Sequence, residues 1–434
     1  MSRRINEHVS VSFHTLIRYG GDFLDAVIER ADGAWLTTVD GRRILDFTSG
    51  QMCATLGHNH PAIVRAIDEA CRRVLHLHSG MVSPDVLELA DELVALLPEP
   101  LRRAMFVSTG GESNEAALRL AKLTTGGFEV VAFTGSWHGM TAGASSSTYS
   151  AGRKNYGPAM PGTAALPTPN CYRCPIQHCR DRCDLTCLDV GMSLVDSQSV
   201  GAQAAVIVEP ILSSGGIVPL PDGYLARLRQ LAGERGMLLV IDEAQTAFGR
   251  TGAMFAFERH GVVPDVLTVS KTLGGGLPLA ATVTTEELEQ DAYEKGYLYF
   301  TSHVSDPLPA AVGRAVLATI VADGLLERSA ALGEHLRAGL LELADRHEAI
   351  GDVRGEGLMI GVELVADRDT REPADKLGVA VTTRCLELGL NVNIVKFPGL
   401  GSVLRMAPPM TATTAELDTG LEILDRALTE CTGR

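Results

Sequence analysis

Short apolar runs alternate with longer amphipathic stretches through the middle of the chain. The apolar runs are rich in aliphatic and β-branched residues and are bounded by turn residues, which is typical of buried strands. The stretches between them have the 3.6-residue period of helices. The strand-like runs cover residues 105–107, 129–133, 204–208 and 239–242, and a further run ends at Ser270. This alternation predicts right-handed crossovers and a mostly parallel sheet, so the fold class is α/β.

The pattern differs at the two ends of the chain. Near the N-terminus two strand-like runs, 34–39 and 43–47, flank Asp40-Gly41, which is a hairpin signal. After Pro307 the pattern predicts helices at 309–323, 325–347 and 377–388 and strands at 350–364 and 391–395. We therefore divide the chain into an N-terminal segment (1–60) that packs with the small domain, a large domain (61–320) and a smaller C-terminal α+β domain (321–434).

Composition and charge narrow the class of protein. The 434 residues are 45% hydrophobic and 21% charged, a balance that is ordinary for a globular enzyme. Acidic residues outnumber basic ones by 53 to 38, and the net charge of −15 argues against a surface for nucleic acid or anionic membranes. The chain has no signal-peptide core and no run of the ~18 apolar residues that a membrane span needs. We expect a soluble cytoplasmic protein with neither nucleic-acid nor membrane partners.

Two of the strand-like runs end abruptly at an ionisable side chain, Asp242 in one and Lys271 in the other. Ligands of open α/β sheets bind outside the carboxyl ends of the strands, so this carboxylate and this amine would face one crevice. A lysine beside a run of glycines can hold a flat cofactor covalently, and a buried aspartate can keep a pyridinium nitrogen protonated. A structural salt bridge between two strand ends is the alternative for a lone pair of this kind.

The loops after neighbouring runs are polar as well. Residues 108–114 follow a strand and open a helix, and their hydroxyls, glycines and free backbone N–H groups suit a phosphate. This loop has neither the Gly-Lys-Ser/Thr ending of a Walker loop nor the spacing G-x-G-x-x-G. Trp137 follows the next strand, where it could stack on a flat ring, form a wall of a substrate pocket, or be a core aromatic.

Cysteines are concentrated in one segment of the chain. Five of the nine lie within seventeen residues: Cys171, Cys174, Cys179, Cys183 and Cys187. In a reducing compartment such a density suggests a metal, Zn²⁺ above all, before it suggests disulfides. The spacing differs from that of a zinc ribbon because there is only one C-x-x-C pair. A zinc site and a surface loop with free or partly oxidised thiols therefore both stay open.

Several motifs resemble the class III (ornithine/4-aminobutyrate type) pyridoxal-phosphate aminotransferases across nearly the whole chain. They are Trp137-His138-Gly139, Glu209-Pro210, Ile241 to Thr246, Gly249 to Gly252, Pro264-Asp265 and Ser270-Lys271. Within that family the sequence most resembles the 2,2-dialkylglycine decarboxylases. The segments that carry this closer resemblance are 18–21, 46–52, 138–141, 148–154, 211–216, 303–311 and 405–409.

The resemblance implies a type I pyridoxal-phosphate fold, with a large, mostly parallel-sheet domain and a smaller α+β domain. It implies pyridoxal 5′-phosphate as cofactor, with the aldehyde held by Lys271, the ring nitrogen by Asp242 and the ring hydroxyl by Gln245. The phosphate would be held by Thr109, Gly110, Gly111 and Ser302 of the neighbouring subunit, and the substrate cavity would be lined by Trp137, Gln51 and Arg405, with Trp137 also against the cofactor. This sharing of a site implies a homodimer or a dimer of dimers.

The resemblance also implies an alkali cation, K⁺ or Na⁺, near the site. The matching positions are Leu77, Ser79, Ser302, Val304 and Asp306, which offer the oxygen ligands that hard cations prefer. Two departures stand out. Ser302 replaces the family's usual threonine and keeps its hydroxyl, and the Cys-rich segment is absent from the decarboxylases although similar segments occur in other class III enzymes.

Three functions follow as hypotheses. The first is decarboxylating transamination of 2,2-dialkylglycines, such as 2-aminoisobutyrate, with pyruvate as amino acceptor. The second is a non-decarboxylating class III aminotransferase, or an ammonia-lyase, that acts on another amine. The third is an inactive family member or an interaction protein built around a metal loop. Folding does not require Lys271, Asp242, Gln245 and Thr109 together, so their presence disfavours the third.

Overall fold

The bounds of the elements are known for most of the chain, because the computed structural model describes residues 15–151, 153–180, 182–395 and 401–433. Residues 1–14 of the expected N-terminal segment, Gly152 of the segment 148–154 and Asp181 of the Cys-rich segment lie outside the described residues. The strands are β1 Ile28–Asp32, β2 Trp35–Thr38, β3 Arg43–Asp46, β4 Leu101–Val107, β5 Glu129–Phe133, β6 Thr163–Leu166, β7 Gln203–Val208, β8 Ile211–Leu212, β9 Val218–Pro219, β10 Leu238–Asp242, β11 Val266–Val269, β12 Ala280–Thr285, β13 Ile350–Glu356, β14 Met359–Asp367, β15 Glu372–Pro373, β16 Leu390–Asn391, β17 Asn393–Val395 and β18 Ser402–Met406. The helices are α1 Ser49–Met52, α2 Pro61–Cys71, α3 Pro84–Ala95, α4 Gly110–Thr125, α5 Ala142–Ser146, α6 Thr186–Gln198, α7 Tyr224–Gly233, α8 Glu286–Glu294, α9 Pro307–Ala322, α10 Leu325–Arg346, α11 Asp375–Leu388 and α12 Thr414–Thr432.

The largest sheet has the strand order β4-β12-β11-β10-β7-β5-β6. Strands β6, β5, β7, β10 and β11 are parallel. Strand β12 runs antiparallel to β11, and β4, which pairs antiparallel with β12, again has the direction of the parallel strands. Leu239, Val240 and Ile241 in β10 are fully buried, and burial of such a side chain contributes roughly 1.5–3 kcal/mol. The prediction of a mostly parallel sheet in an α/β fold is confirmed.

The carboxyl ends of four parallel strands meet at one edge of this sheet. The residues at or just after these ends are Trp137 after β5, Glu209 after β7, Asp242 at the end of β10 and Lys271 after β11. Helix α4 begins beside them and packs against β11 and β12. The edge therefore collects the polar loops that the sequence places after separate strands.

The last third of the chain forms an antiparallel sheet in the order β13-β14-β18-β17, with β15 on β14. The sequence predicts one strand over 350–364, and this prediction is wrong, because the segment folds into the hairpin β13-β14. The turn is made by Gly357, whose φ of +52° suits glycine, and a Cβ there would lie 2.5 Å from the backbone carbon of Thr251. Strand β14 then pairs with β18, and Gly361 lies opposite Arg405.

The N-terminal strands form a sheet with a strand from the end of the chain. Strands β2 and β3 are the antiparallel hairpin that the sequence predicts, and β3 pairs in parallel with β16, with Leu45 opposite Leu390. The described part of the N-terminal segment thus contacts the last third of the chain. The domain boundaries stay a prediction.

Among the described residues no single helix is both long and apolar enough to cross a membrane, although α9 and α10, bent by 69° at their junction, meet the length and composition criteria as a pair.

The Cys-rich segment lies between β6 and α6 and is held to the C-terminal sheet by ion pairs. Arg173 donates from Nε to Glu363, a fully buried residue of β14. Arg354 donates to the other oxygen of the same carboxylate at 2.6 Å. Arg371 donates to the carbonyl of Tyr172 at 2.7 Å and lies over the Tyr172 ring. These contacts hold the Cys-rich segment against β14 and the loop that follows it.

Candidate active site

Two adjoining cavities open at the carboxyl edge of the large sheet and share Trp137 and Lys271. The first, of about 370 Å³, is lined by Cys53, Ser108, Thr109, Gly110, Gly111, Asn114, Trp137, His138, Gly139, Asp242, Ala244, Ser270, Lys271 and residues 276–279. The second, of about 510 Å³, is lined by Gly20, Thr48, Gly50, Gln51, Met52, Trp137, Ser214, Gln245, Lys271, residues 393–395 and Arg405. Together they form one site with an inner and an outer chamber.

The carboxylate of Asp242 lies at the base of the inner chamber and is 3% exposed. Its Oδ2 accepts hydrogen bonds from Asn114 Nδ2 at 2.7 Å and from His138 Nδ1 at 2.8 Å. Its Oδ1 accepts one from the N–H of Ala244 at 3.0 Å. Since each carboxylate oxygen has about two acceptor positions, Oδ1 keeps one for a donor in the chamber. A protonated ring nitrogen is such a donor.

Lys271 is held in an uncommon backbone conformation above this chamber. Its φ is +50°, the left-handed region that few non-glycine residues adopt, and it opens a 3₁₀ turn over Lys271–Gly274. Loss of solvent lowers the pKa of its amine below the usual range, while the nearby Asp242 carboxylate opposes that shift. The amine is therefore more easily deprotonated than a surface lysine, as a nucleophile or proton carrier requires.

Backbone N–H groups at the start of α4 form the phosphate end of the inner chamber. Gly110 and Gly111 occupy the first turn, whose N–H groups have no partner within the helix. A Cβ at Gly110 would lie 2.8 Å from Ser270 Oγ, so only glycine leaves this approach open. Thr109 Oγ1 accepts from the N–H of Glu112 at 3.3 Å and keeps its own proton for an anion. These groups fit a phosphate at a helix N-terminus.

A chain of hydrogen bonds lines the outer chamber. Arg405 donates to Asn393 Oδ1 at 2.8 Å and to Ser213 Oγ at 3.3 Å. Ser213 donates to Gln245 Oε1 at 2.7 Å, which leaves the Gln245 amide nitrogen as a donor toward the chamber. Loss of solvent lowers the pKa of Arg405 to about 10, so the group stays charged at neutral pH. Among the described residues no carboxylate forms an ion pair with Arg405, and an anionic substrate group can take that place.

Gln51 and Trp137 both line the outer chamber. Gln51 is exposed and lies in the irregular turn α1, where its φ and ψ of −101° and 47° depart from helical values. Trp137 is half-buried, and its backbone N–H donates to Glu209 Oε1 at 2.9 Å. The other Glu209 oxygen accepts from the N–H of Ser213 at 3.2 Å. An uncharged amide and a cation, Gln51 and Arg405, therefore lie in the same chamber as the lysine.

Glu209 should give the protein a measurable pH dependence of stability. Burial raises its pKa to about 7 from an ordinary 4.5. Because the folded state favours the protonated form, the stabilising contribution is complete below about pH 4.5 and is lost as the pH rises through 7, a change of about 3 kcal/mol. Glu209→Gln should flatten the fall in the Tm of the holoenzyme between pH 5.5 and 7.5. The exposed control Glu342→Gln should keep the wild-type slope, and an equal slope in Glu209→Gln would contradict the assignment.

Two sets of predicted residues lie outside these chambers. Ser302 is exposed and does not line the chamber of Thr109 in the same chain. Both oxygens of Asp306 accept from imidazoles, His76 Nδ1 at 2.6 Å and His303 Nδ1 at 2.5 Å. The alkali-cation set stays a prediction. Its other members are half-buried or exposed: Leu77, Ser79, Ser302 and Val304.

The cysteines of the Cys-rich segment are free thiols. Three of the five are buried, namely Cys174, Cys179 and Cys187. The other two, Cys171 and Cys183, are half-buried. Cys179 donates to Asp184 Oδ1 at 3.1 Å, and His178 lies 3.1 Å from the other oxygen of that carboxylate. Of the described residues, His178, Cys179 and Asp184 are one of two groups whose potential metal ligands lie within 4.8 Å of one another.

Sequence reasoning missed part of the site. Asn114 and Asn393 each bind a side chain for which the sequence predicts a role, Asp242 and Arg405 respectively. Asn393 lies opposite Arg405 in the pairing of β17 with β18, but that register is not visible in the sequence. Asn114 falls in the segment singled out for phosphate binding, where its helical position four residues after Gly110 was the available signal.

A cofactor with a ring nitrogen, a carbonyl and a phosphate fits this arrangement. Asp242 Oδ1 and the N-terminus of α4 lie in the same chamber as the Lys271 amine. His138 Nε2, fully buried at the chamber wall, has no hydrogen-bond partner among the described residues and thus marks a polar ligand or water. The fold and the site define a pyridoxal-phosphate-dependent enzyme of fold type I. The model of the aminotransferase class-III family matches residues 18–428, and the chain belongs to that family.

Known relatives agree with this class. The chain is 51% identical over 416 residues to an uncharacterized aminotransferase of Schizosaccharomyces pombe, with 96% of this chain and 93% of the relative covered. It is 34% identical over 412 residues to the leucine/methionine racemase of Thermococcus litoralis, with 93% and 90% covered. It is similar to the solved PLP-bound amine transaminase of an uncultivated Pseudomonas species, with a TM-score of 0.88, 28% identity and 99% of both chains covered.

Proposed function

We propose that this enzyme catalyses decarboxylating transamination of 2,2-dialkylglycines, such as 2-aminoisobutyrate, with pyruvate as amino acceptor. The observation that supports the proposal is that Gln51, Lys271 and Arg405 line one chamber of about 510 Å³. That volume suits a small amino or keto acid. The resemblance of the sequence to the 2,2-dialkylglycine decarboxylases supports the same reaction.

The substrate dictates which bond has to break. A 2,2-dialkylglycine has no hydrogen at Cα, so the bond to its carboxylate must be the one that breaks. Pyridoxal phosphate, when bound, supplies a conjugated ring that takes up the electron pair left at Cα. Asp242 would keep the ring nitrogen protonated. After carbon dioxide has left, the Lys271 amine would deliver a proton to the cofactor carbon bonded to the substrate nitrogen, because a proton on Cα would instead release a simple amine and transfer no amino group.

Gln51 and Arg405 suit different carboxylates. An uncharged amide can hold a departing carboxylate in place without strongly stabilising its charge, which disappears when carbon dioxide forms. A guanidinium would stabilise the charged ground state more than the transition state, and such binding does not lower the barrier. Arg405 therefore suits the carboxylate of alanine or pyruvate in the second half-reaction, because that group stays in place.

Non-decarboxylating transamination or ammonia elimination on another amine is the alternative. The names of the relatives reported above favour it, since they describe an aminotransferase, a racemase and an amine transaminase. Release of carbon dioxide from 2-aminoisobutyrate by the purified holoenzyme separates the two functions. An enzyme that transaminates ordinary amines and releases no carbon dioxide from any dialkylglycine would establish the alternative.

Gln51 and Arg405 should have opposite effects on the two half-reactions. Gln51→Ala should lower decarboxylation of 2-aminoisobutyrate at least ~10-fold, through loss of one transition-state hydrogen bond worth ~1.4 kcal/mol, and should lower alanine transamination less. Arg405→Ala should show the reverse preference. Single-turnover rates of each half-reaction measure both effects, and Gln198→Ala, on exposed α6, is the control. If each variant loses the same activity in both half-reactions, Gln51 and Arg405 do not have the separate roles proposed here.

A homodimer, or a dimer of dimers, is part of the proposal. Ser302 lies away from the phosphate chamber of its own chain, and large apolar side chains near it are exposed, including Phe300 at 64% and Leu298 at 65%. Such a surface is typical of one covered by a partner. A monomeric mass in solution would exclude a shared phosphate site.

We also propose that the Cys-rich segment binds zinc. The sulfur of Cys179, a ring nitrogen of His178 and a carboxylate oxygen of Asp184 lie within 4.8 Å of one another, and zinc binds ligands of these three types. Protein purified without chelator should contain about one zinc per chain, and a chelator should lower its Tm. Cys179→Ser should reduce the zinc content, whereas Cys71→Ser, outside the segment, should not. Metal-free protein of equal stability would leave a loop of free thiols.

A further inference from the structure

The amide of Asn114 is buried between the sheet and the inner chamber, and all its hydrogen-bonding atoms are satisfied. Its Nδ2 donates to Asp242 Oδ2 and to the carbonyl of His138, both at 2.7 Å. Its Oδ1 accepts from Thr268 Oγ1 at 2.7 Å. Asn114 is 1% exposed and Thr268 is fully buried, so water cannot replace these partners.

Two acceptors select one of the two orientations of the Asn114 amide, and the hydroxyl of Thr268 supports it. In the reverse orientation Oδ1 would face the carboxylate of Asp242 and the carbonyl of His138, which are both acceptors. The hydroxyl of Thr268 can donate to Oδ1, and this contact leaves both Nδ2 protons for those acceptors. Asn114 lies in α4, and Thr268 and Asp242 lie opposite each other in β11 and β10. Three elements of the fold therefore fix one amide.

The consequence is an unequal pair of oxygens on Asp242. Asn114 and His138 both donate to Oδ2 and fill its acceptor positions, whereas Oδ1 has only the N–H of Ala244. A half-turn of the carboxylate only exchanges its two equivalent oxygens, whereas a smaller rotation would break the hydrogen bonds from Asn114 and His138. The contacts of Oδ2 thus hold Oδ1 toward the chamber.

We propose that Asn114 is a positioning residue that presents Oδ1 of Asp242 to the ring nitrogen of the cofactor, and that the hydroxyl of Thr268 holds the Asn114 amide in place. The Asn114 amide does not touch the ring nitrogen itself. It acts through Asp242, by keeping the carboxylate charged and aimed, and the ring nitrogen protonated as a result. The inference concerns cofactor binding and does not depend on which substrate the enzyme uses.

The matched pair Thr268→Val and Thr284→Val tests the proposal. Both threonines are buried on neighbouring strands of the large sheet, and the Thr284 hydroxyl donates to the carbonyl of Asp265 at 2.9 Å, away from the chamber. Both variants lose one buried hydrogen bond, so a similar fall in Tm is expected. Only Thr268→Val leaves Oδ1 of the Asn114 amide without its donor, so that the amide beside Asp242 is held less firmly. Asn114→Ala and Asn114→Asp complete the series, because the first removes the donor and the second places a carboxylate against Asp242.

Two measurements decide the outcome. The first is the dissociation constant of pyridoxal phosphate from refilled apoenzyme, expected to rise about 10-fold in Asn114→Ala and Thr268→Val and less than 2-fold in Thr284→Val. The second is the midpoint of the pH titration of the holoenzyme's absorption band, expected to move by about one pH unit in Thr268→Val and further in Asn114→Asp. If Thr268→Val matches Thr284→Val in both measurements, Asn114 is only structural. The comparison of Thr268→Val with Thr284→Val still tests the proposal if the Asn114 variants fail to fold.

Discussion

Lys271→Ala should reduce amino transfer by about 10⁴-fold or more, because it removes both the nucleophile and the proton carrier, and proton transfer alone contributes up to about 10⁴. The amine of Lys271 has a lowered pKa and lies in the chambers formed by the other site residues. The variant should also lose the absorption band near the visible edge that a covalently held cofactor gives. Steady-state rates and the absorption spectrum of purified protein measure the two effects.

Lys122→Ala is the matched control for this variant. Lys122 is half-buried on α4, and burial lowers its pKa in the same direction, but it lies outside both chambers. It should keep the absorption band and a rate within a few fold of the wild type. A fully active Lys271→Ala enzyme would show that another amine holds the cofactor, and the assignment of the site would fail.

Asp242→Asn should retain the cofactor yet lower turnover about 10²- to 10³-fold, the effect expected from removing one fixed charge next to a reacting group. The amide keeps the size of the side chain, but with its oxygen accepting from Asn114 and His138 its NH₂ group would face the ring nitrogen, where it cannot stabilise the proton. Turnover is measured with saturating amine and keto acid, and cofactor content is measured on the same sample.

Asp196→Asn provides the comparison for Asp242→Asn. Asp196, on α6, pairs with Arg235, which follows the end of α7, and this pairing lowers the pKa of the Asp196 carboxyl. Its substitution should lower stability slightly and leave turnover unchanged. Near-wild-type turnover in Asp242→Asn would mean that the ring nitrogen needs no charged partner in this enzyme.

Five of the seven strands of the large sheet were predicted because each is a short apolar run with a clear end, whereas β6 and β12 were not predicted. Residues Asp242 and Lys271 stand out at those ends because a charged side chain directly after a buried strand is conspicuous in any sequence. The hairpin of β13 and β14 was not predictable in the same way. Its turn is marked only by glycines within an apolar segment, and a strand with a bulge shows the same pattern.

The partners of the site residues depend on contacts between distant segments. Asn114 reaches Asp242 across 128 positions of sequence, and Ser213 reaches Arg405 across 192. Neither contact follows from local pattern, because the packing of α4 on the sheet and the approach of β18 to the loop after β8 decide it. The contact of His76 with Asp306 was missed for the same reason, since the two residues are 230 positions apart.

Glu363 sets a limit on how the Cys-rich segment can be engineered. Its carboxylate is fully buried in β14, and Arg173 is one of two cations that pair with it. A shortened or transplanted segment without an arginine at that position would leave a buried negative charge with Arg354 alone, and removing one partner of a buried ion pair costs about 3–5 kcal/mol. Gly361 of the same strand lies opposite Arg405. When this segment is exchanged between relatives, residues 173 and 363 should therefore be moved or replaced together.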